Sequence, residues 1–388
     1  MNMIPVNEPL ICAKEIDYVN ECLHTGWISS AGHFIEEFEQ KWAAYCGMKY
    51  GIAMSNGTTA LQAAIQSIDL QPGDKVIMPA FTIISCAQAI LYNGGIPILV
   101  DSDARTWCMN ITQVRKKVEA EIKKGDGKLK AIMPVHIYGH PTDMDPILDL
   151  AEKYNLRIIE DAAEAHGAEY NTGRSTLASS WKKCGSFGHI SVFSFYANKL
   201  ITTGEGGMVL TNNPDYAEKA RSLRNLCFRP EQRFLHTALG HNFRLTNLQA
   251  AIGLGQLERI DEIIAKKRLM GKAYTERLQS IPGLQLPVEE AWAKQVYWMY
   301  GVVLDKSTGL DAVRFAQDLK KKGIETRPFF LGMHEQPVFR DMGLFHNEKH
   351  AVAERIARQG LYLPSGLTLT EIQLEQVCDA VKSCLAEV

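Results

Sequence analysis

No stretch of this sequence stays apolar for the roughly 18–20 residues that a membrane-spanning helix requires. Neither charge dominates: 42 Lys and Arg stand against 44 Asp and Glu, a formal net charge of −2. That balance argues against a dedicated nucleic-acid binder, which needs a basic surplus to neutralise phosphates. The opening segment MNMIPVNEPLICAKE has no basic region followed by an apolar one, so no secretory leader is expected and a cytoplasmic protein is. Paired cysteines are missing too. The nine cysteines, at 12, 22, 46, 86, 108, 184, 227, 378 and 384, include no CxxC and are odd in number. Reduced, mostly buried thiols are expected, with no spacing to support a zinc site or a disulfide framework. There is no internal repeat, low-complexity tract or long linker, and no GxGxxG after the first strand-like run, which disfavours a plain NAD-dependent enzyme.

What is present is an ordinary globular composition, 46% hydrophobic and 22% charged, in 388 residues, enough for about two domains. Short apolar runs bounded by turn residues predict buried strands at Tyr50–Ala53, Lys75–Met78, Ile96–Val100, Leu129–Val135, Arg157–Glu160, Ile190–Phe195 and Gly207–Thr211. Between several of them the spacing predicts helices over Thr58–Ser67, Ile83–Tyr92, Thr112–Lys123 and Asp145–Tyr154. Strands alternating with helices imply an α/β fold with a mostly parallel sheet covered on both faces. Such sheets bind ligands beyond the carboxyl ends of their strands.

From about Thr246 the texture changes. Leu248, Ala251, Ile252, Gly255, Leu257, Ile260 and Ile264 follow helical spacing and predict one long amphipathic helix to about Leu278. Beyond Pro282 the pattern is strand (Val296–Leu304), helix (Asp311–Lys322), strand (Glu325–Phe330) and a last helix from Thr370. Residues 1–250 are expected to form an N-terminal arm and a large domain. Residues 251–388 are expected to supply a connecting helix and a smaller α+β domain.

Four features follow strands. Ser55-Asn56-Gly57-Thr58-Thr59 lies between a strand and a helix, where free amides and hydroxyls make either a phosphate cradle or an ordinary helix cap. Asp161, in Ile158–Ala165, ends a buried strand, where a carboxylate needs a cationic partner: a protonated ring nitrogen, or a structural cap or ion pair. Lys199, in Phe193–Lys199, ends another strand before the turn Gly204-Glu205-Gly206-Gly207; it is either a desolvated Schiff-base amine or a surface lysine. Asn242 and Arg244 stand in a largely apolar segment leading into the long helix. A phosphate cradle, a strand-end carboxylate and a strand-end lysine together meet the needs of pyridoxal phosphate.

On these residues the chain resembles the DegT/DnrJ/StrS family of sugar aminotransferases. The resemblance runs from Ile4-Pro5-Val6 to about Leu363-Pro364-Ser365 and includes Gly26–Ser30, Ser55–Thr58, Glu160–Glu164, Ser194–Gly207 and Asn242–Ala251. Phe193–Met208, Arg244–Gln256 and Glu325–His334 are most similar to the branch that aminates C4 of a GDP-linked 4-keto-6-deoxy sugar, with glutamate as donor. The resemblance implies a fold-type I, aspartate-aminotransferase-like, pyridoxal-phosphate-dependent transferase. It implies Lys199 as the Schiff-base lysine of pyridoxal 5′-phosphate, which passes to the pyridoxamine form in turnover, and Asp161 as partner of the pyridine nitrogen. Asn56, Gly57, Thr58 and Ser194 would hold the phosphate, and Glu164 would lie near the phenolic oxygen. Asn242 would reach the phosphate of a neighbouring subunit, which implies a homodimer with shared sites. Ser29, Arg327 and His334 are the implied substrate contacts, Arg327 serving there or structurally.

The partners so implied are L-glutamate and a nucleotide-linked keto sugar, GDP-4-keto-6-deoxymannose or a close relative, in polysaccharide or other glycan biosynthesis. No nucleic acid, membrane or metal enters. Where many members carry Tyr or Trp over the cofactor this chain has Ile83, so stacking is expected to be aliphatic or to come from Phe81. The stretch Asn171–Lys183 is longer than the usual hairpin and reads as a surface insertion or a functional loop. His136 and His140 have the look of a metal pair, but the family carries this run without metal. The alternatives on the same fold are a sugar dehydratase, whose 3-dehydratase branch has histidine where Lys199 stands, and a non-catalytic regulator.

Overall fold

The structure, a computed structural model, describes residues 3–173, 179–229, 232 and 234–386. Its central sheet has seven strands: β1 (Tyr50–Met54), β2 (Lys75–Pro79), β3 (Ile96–Val100), β4 (Leu129–Ile132), β5 (Arg157–Asp161), β6 (Ile190–Ser194) and β7 (Gly207–Thr211). They lie in the order β1-β7-β6-β5-β4-β2-β3. The pairs β2–β3, β2–β4, β4–β5 and β5–β6 are parallel, and only β7 runs antiparallel, to both β6 and β1. Helices Gly57–Ser67, Ser85–Tyr92, Ile111–Lys123 and Asp145–Tyr154 are the crossovers. They cover the sheet, and this is why its strands are apolar throughout rather than alternating.

A second core is built by Met270, Tyr274 and Leu278 of the helix Ile260–Leu278, by Phe315 and Leu319, by Val377 and Val381, and by Ile4. It packs on a small antiparallel sheet of Leu284–Gln285, Tyr300–Leu304, Gly360–Leu363 and Arg327–Pro328. The N-terminal arm joins this core, with Ile4 N–H donating to the Gly323 carbonyl at 2.8 Å. Among the described residues no helix is long and apolar enough to cross a membrane, and none of the nine cysteines is paired in a disulfide.

Several elements differ from expectation for local reasons. The long helix is two, Asn247–Leu257 and Ile260–Leu278, because Arg259 leaves helical geometry (φ −118°, ψ 14°). The strand expected over Val296–Leu304 begins at Tyr300, because Tyr297 adopts a left-handed φ of 47°. The run Leu129–Val135 ends as a strand at Ile132, ahead of Pro134, which has no N–H for the ladder. The expected strand Glu325–Phe330 is reduced to Arg327–Pro328. The stretch Asn171–Lys183 belongs to a hairpin of Glu169–Thr172 and Ser180–Lys183; residues 174–178 at its tip lie outside the described residues.

Candidate active site

Gly207 opens β7 between Met54, at the end of β1, and Ser194, at the end of β6. A Cβ at Gly207 would lie 2.4 Å from the Asn56 carbonyl, and one at Gly57 would lie 2.8 Å from the Ser194 Cβ. The two glycines therefore let a helix N-terminus rest directly on two strand ends. Asn56 caps that helix: its Oδ1 accepts the Thr59 N–H at 2.9 Å, and Thr59 Oγ1 accepts the Asn56 N–H at 3.2 Å. Gly57 and Thr58, in the first turn, have no helical carbonyl for their N–H groups, and the helix dipole favours an anion there. The Thr58 and Ser85 hydroxyls are 2.8 Å apart. Asn56, Gly57, Thr58, Ser85 and Ser194 line one end of a cavity of about 630 Å³. Cap and cradle are thus one structure, with the Asn56 side chain committed to the cap.

Asp161 ends β5 and lines the same cavity at 2% exposure. One carboxylate oxygen accepts the Ala163 N–H at 3.0 Å and the other accepts the Cys86 thiol at 3.1 Å. Neither donor is a cation. Burial accordingly pushes the carboxyl above its ordinary range, against the pull of those donors and of Lys199. A buried carboxylate that lines a cavity and still calls for positive charge suits a protonated ring nitrogen.

Lys199 follows β6 in a turn closed by its N–H on the Tyr196 carbonyl at 2.9 Å. Its Nζ lies 3.8 Å from Glu164 Oε1 and 3.7 Å from the centre of the Trp298 ring. Desolvation lowers its pKa, opposed by Glu164 and Asp161. Glu164 accepts the Tyr138 N–H at 2.7 Å, and burial raises its carboxyl. Behind the cavity the His166 ring donates from Nε2 to the Ser194 carbonyl at 2.8 Å; burial lowers its pKa to about 3, so the ring is neutral. An anion cradle, a buried carboxylate and a desolvated amine in one cavity form a set of donors and acceptors that fits pyridoxal phosphate.

Other expected site residues lie elsewhere. Phe81 is fully buried and packs on Phe329, Phe330 and Tyr138 behind the wall. It does not line the cavity, whereas Ile83, 41% exposed, does, so of the two expected sources of stacking the aliphatic side chain is the one presented there. His334, expected as a substrate contact, does not line the cavity. The Met333 N–H docks on the Ala80 carbonyl, and the His334 ring is buried against Glu354 Oε1 at 3.1 Å. Arg327 is bonded to Glu325 at 2.6 Å and lines a separate groove of about 1010 Å³ on the small domain. That groove is larger than the cavity but holds none of the strand-end groups.

Ser29 and Asn242 are exposed and line no part of this chain's cavity. Ser29 accepts the Asn247 N–H at 2.6 Å, and Asn242 accepts Arg244 Nε at 2.8 Å. The hairpin after Glu169 contributes no described residue to the cavity. His136 donates to Glu160 at 2.9 Å and accepts the Thr142 N–H at 2.9 Å. With Cys184 these two residues are close enough to suggest a metal cluster. However, Glu160 also accepts from the amides of Gly185, Phe187 and Gly188 and from the Ser191 hydroxyl, so the group is a hydrogen-bonded brace. Sequence reasoning missed Trp298, Phe330, Tyr362 and Ser85 in the cavity wall, and Cys86 on Asp161. Only the two hydroxyl-bearing neighbours Thr82 and Ser85 could have flagged that wall, because aromatic residues in apolar runs read as core.

A family model described as the DegT/DnrJ/EryC1/StrS aminotransferase family matches residues 9–382. The GDP-perosamine synthase of Caulobacter vibrioides is 42% identical over 383 residues, 98% of each chain. That of Escherichia coli O157:H7 is 39% identical over 381 residues, again 98% of each. Among solved structures, S. venezuelae DesV in complex with a ketimine intermediate superposes with a TM-score of 0.89, at 30% identity and over 100% of both chains.

Proposed function

Because this chain belongs to the DegT/DnrJ/EryC1/StrS aminotransferase family and is a pyridoxal-phosphate-dependent nucleotide-sugar aminotransferase, we propose that it moves the amino group of L-glutamate to C4 of GDP-4-keto-6-deoxymannose. The observation that carries this choice of substrate is the full-length similarity to three GDP-perosamine synthases, 34–42% identical to this chain. Pyridoxal phosphate supplies an electron sink that makes the Cα–H of the amino donor acidic.

The chain's own groups take the remaining parts. The first-turn amides of Gly57 and Thr58, with the Thr58 and Ser194 hydroxyls, hold the phosphate. Asp161 keeps the ring nitrogen protonated, a role supported by its burial and by its lack of a cation among its bonded donors. Lys199 is the covalent attachment point and, once released, the base that takes a proton from Cα of glutamate and the acid that returns one at C4 of the sugar. Its desolvation, which lowers its pKa and so favours the neutral amine, supports both duties. Glu164, 3.8 Å from the Lys199 amine, would orient that amine and face the phenolic oxygen. Asn242, exposed on this chain, reaches the phosphate of a partner subunit in a homodimer.

A panel of GDP-, dTDP- and UDP-linked 4-keto and 3-keto sugars, offered with glutamate while 2-oxoglutarate is measured, tests the assignment. Turnover is expected with the GDP-linked 4-keto sugar. Reaction with dTDP or UDP sugars alone would remove the proposed substrate and leave the family membership intact.

A further inference from the structure

Trp298 enters the cavity from the small-domain side, just ahead of the strand Tyr300–Leu304, and is 4% exposed. The ring lies under the Lys199 amine, 3.7 Å from Nζ to its centre. Its indole N–H donates to the carbonyl of Asn198, the residue before Lys199, at 2.8 Å. The Asn7 side-chain amide from the N-terminal arm donates to that same carbonyl at 2.7 Å. On its far side, the backbone carbonyl of Trp298 accepts from the buried amine of Lys267 at 2.9 Å, and Lys267 also donates to the Ser365 carbonyl. Tyr138 stacks near-parallel to the indole at 6.0 Å. The ring is thus fixed by its N–H, by its backbone and by a second ring, and its free face is given to one amine.

We propose that Trp298 is a positioning residue for Lys199: its ring face is the resting place of the amine whenever that amine is not covalently engaged, and its N–H fixes the turn that carries the lysine. This rests on the reading of Lys199 as the attachment point. The indole face is negative and attracts a cation, so it favours the ammonium form and opposes the desolvation that lowers it. Glu164, Asp161, Cys86 and His166 also face Lys199. Tyr196, Glu205 and Tyr362 do so from the farther walls. A leucine at 298 keeps the site dry and removes the attraction together with the N–H bond to the Asn198 carbonyl. The lysine should then lose its proton at a pH lower by roughly half to one unit. Phenylalanine keeps a weaker face without the N–H, and should shift it less in the same direction.

The test uses the full-length apo-protein and pyridoxal 5′-phosphate as probe. Covalent capture, fixed with borohydride, is timed across pH in the parent and in Trp298→Leu, Trp298→Phe and Lys199→Ala. Because only the neutral amine attacks the aldehyde, the midpoint of the rate profile reports the lysine. A downward displacement, larger in Leu than in Phe, is the expected result, and the Phe profile decides if the Leu protein does not fold. Profiles that superimpose on the parent, or move up, while Lys199→Ala captures nothing, overturn the role of Trp298 and leave that of Lys199 standing. Capture by Lys199→Ala at the parent rate overturns the reading of Lys199 itself.

Discussion

Lys267 is a wholly buried amine bonded to two carbonyls rather than to a carboxylate, and burial lowers its pKa to about 7. In the unfolded chain it holds its proton to about pH 10.4. Between those limits the unfolded state binds a proton that the folded state does not, so stability rises with pH through the window and is lost as pH falls through about 7. Lys267→Met is expected to flatten that rise; denaturant midpoints of both proteins at neutral and alkaline pH measure it, and parallel slopes would assign the dependence to another group. Single residues differ in how openly they announce such roles. Asp161 and Lys199 stand out in the sequence because each is a charge at the end of an apolar run. Trp298 and Lys267 do not, since a tryptophan among Val296–Leu304 reads as core and a lysine in a long helix reads as its solvated face. Phe81 and His334 are close to site residues along the chain but turn their rings into aromatic and histidine packing, a choice of side that spacing does not encode.

At the level of elements, the cradle depends on how near a helix can approach two strand ends. Gly57→Ala places a methyl 2.8 Å from the Ser194 Cβ, an overpacking of about 1–3 kcal/mol that only a retreat of the helix start relieves. The protein is expected to fold yet hold pyridoxal phosphate about tenfold more weakly for each ~1.4 kcal/mol lost, measured by equilibrium dialysis. Unchanged affinity would mean that the close approach does not shape the phosphate site. The parallel strands and their crossover helices were legible because burial on both faces leaves continuous apolar runs. The helix Ala13–Thr25 was not, because it buries only Glu15 and Cys22 and leaves Ile16 and Leu23 exposed. The break near Arg259 was hidden for a related reason. There Glu15, from a different helix, accepts from Gln256 at 2.7 Å and from Arg259 at 2.6 Å, while the apolar spacing runs on without interruption.

Across the whole molecule, the exposed apolar side chains are unevenly distributed. Ile11, Ile16, Leu23, Trp27 and Ile28 are 45–58% exposed, and Phe234, Leu235 and Leu239, just before Asn242, are 43–89% exposed. The second group precedes Asn242 in the chain, and exposed apolar side chains next to a residue expected to act in another subunit's site fit a surface covered by a second copy. Physical reading of the sequence alone would have left Asn242 as a loop residue; only the family resemblance gave it a phosphate to reach. Complementation tests the point. On the proposed arrangement, Lys199→Ala should destroy a site in its own chain, whereas Asn242→Asp, which would set a carboxylate against the phosphate, should damage the site of its partner. In a heterodimer of the two, the chain that keeps Lys199 receives an intact Asn242 from its neighbour, and that one site works. After mixing, denaturing and refolding equal amounts, half the dimers are mixed and carry one sound site of two, so roughly a quarter of the parent turnover should return. If each chain instead supplied its whole site, Asn242→Asp would act in its own subunit and the mixture would be no more active than the average of the two variants.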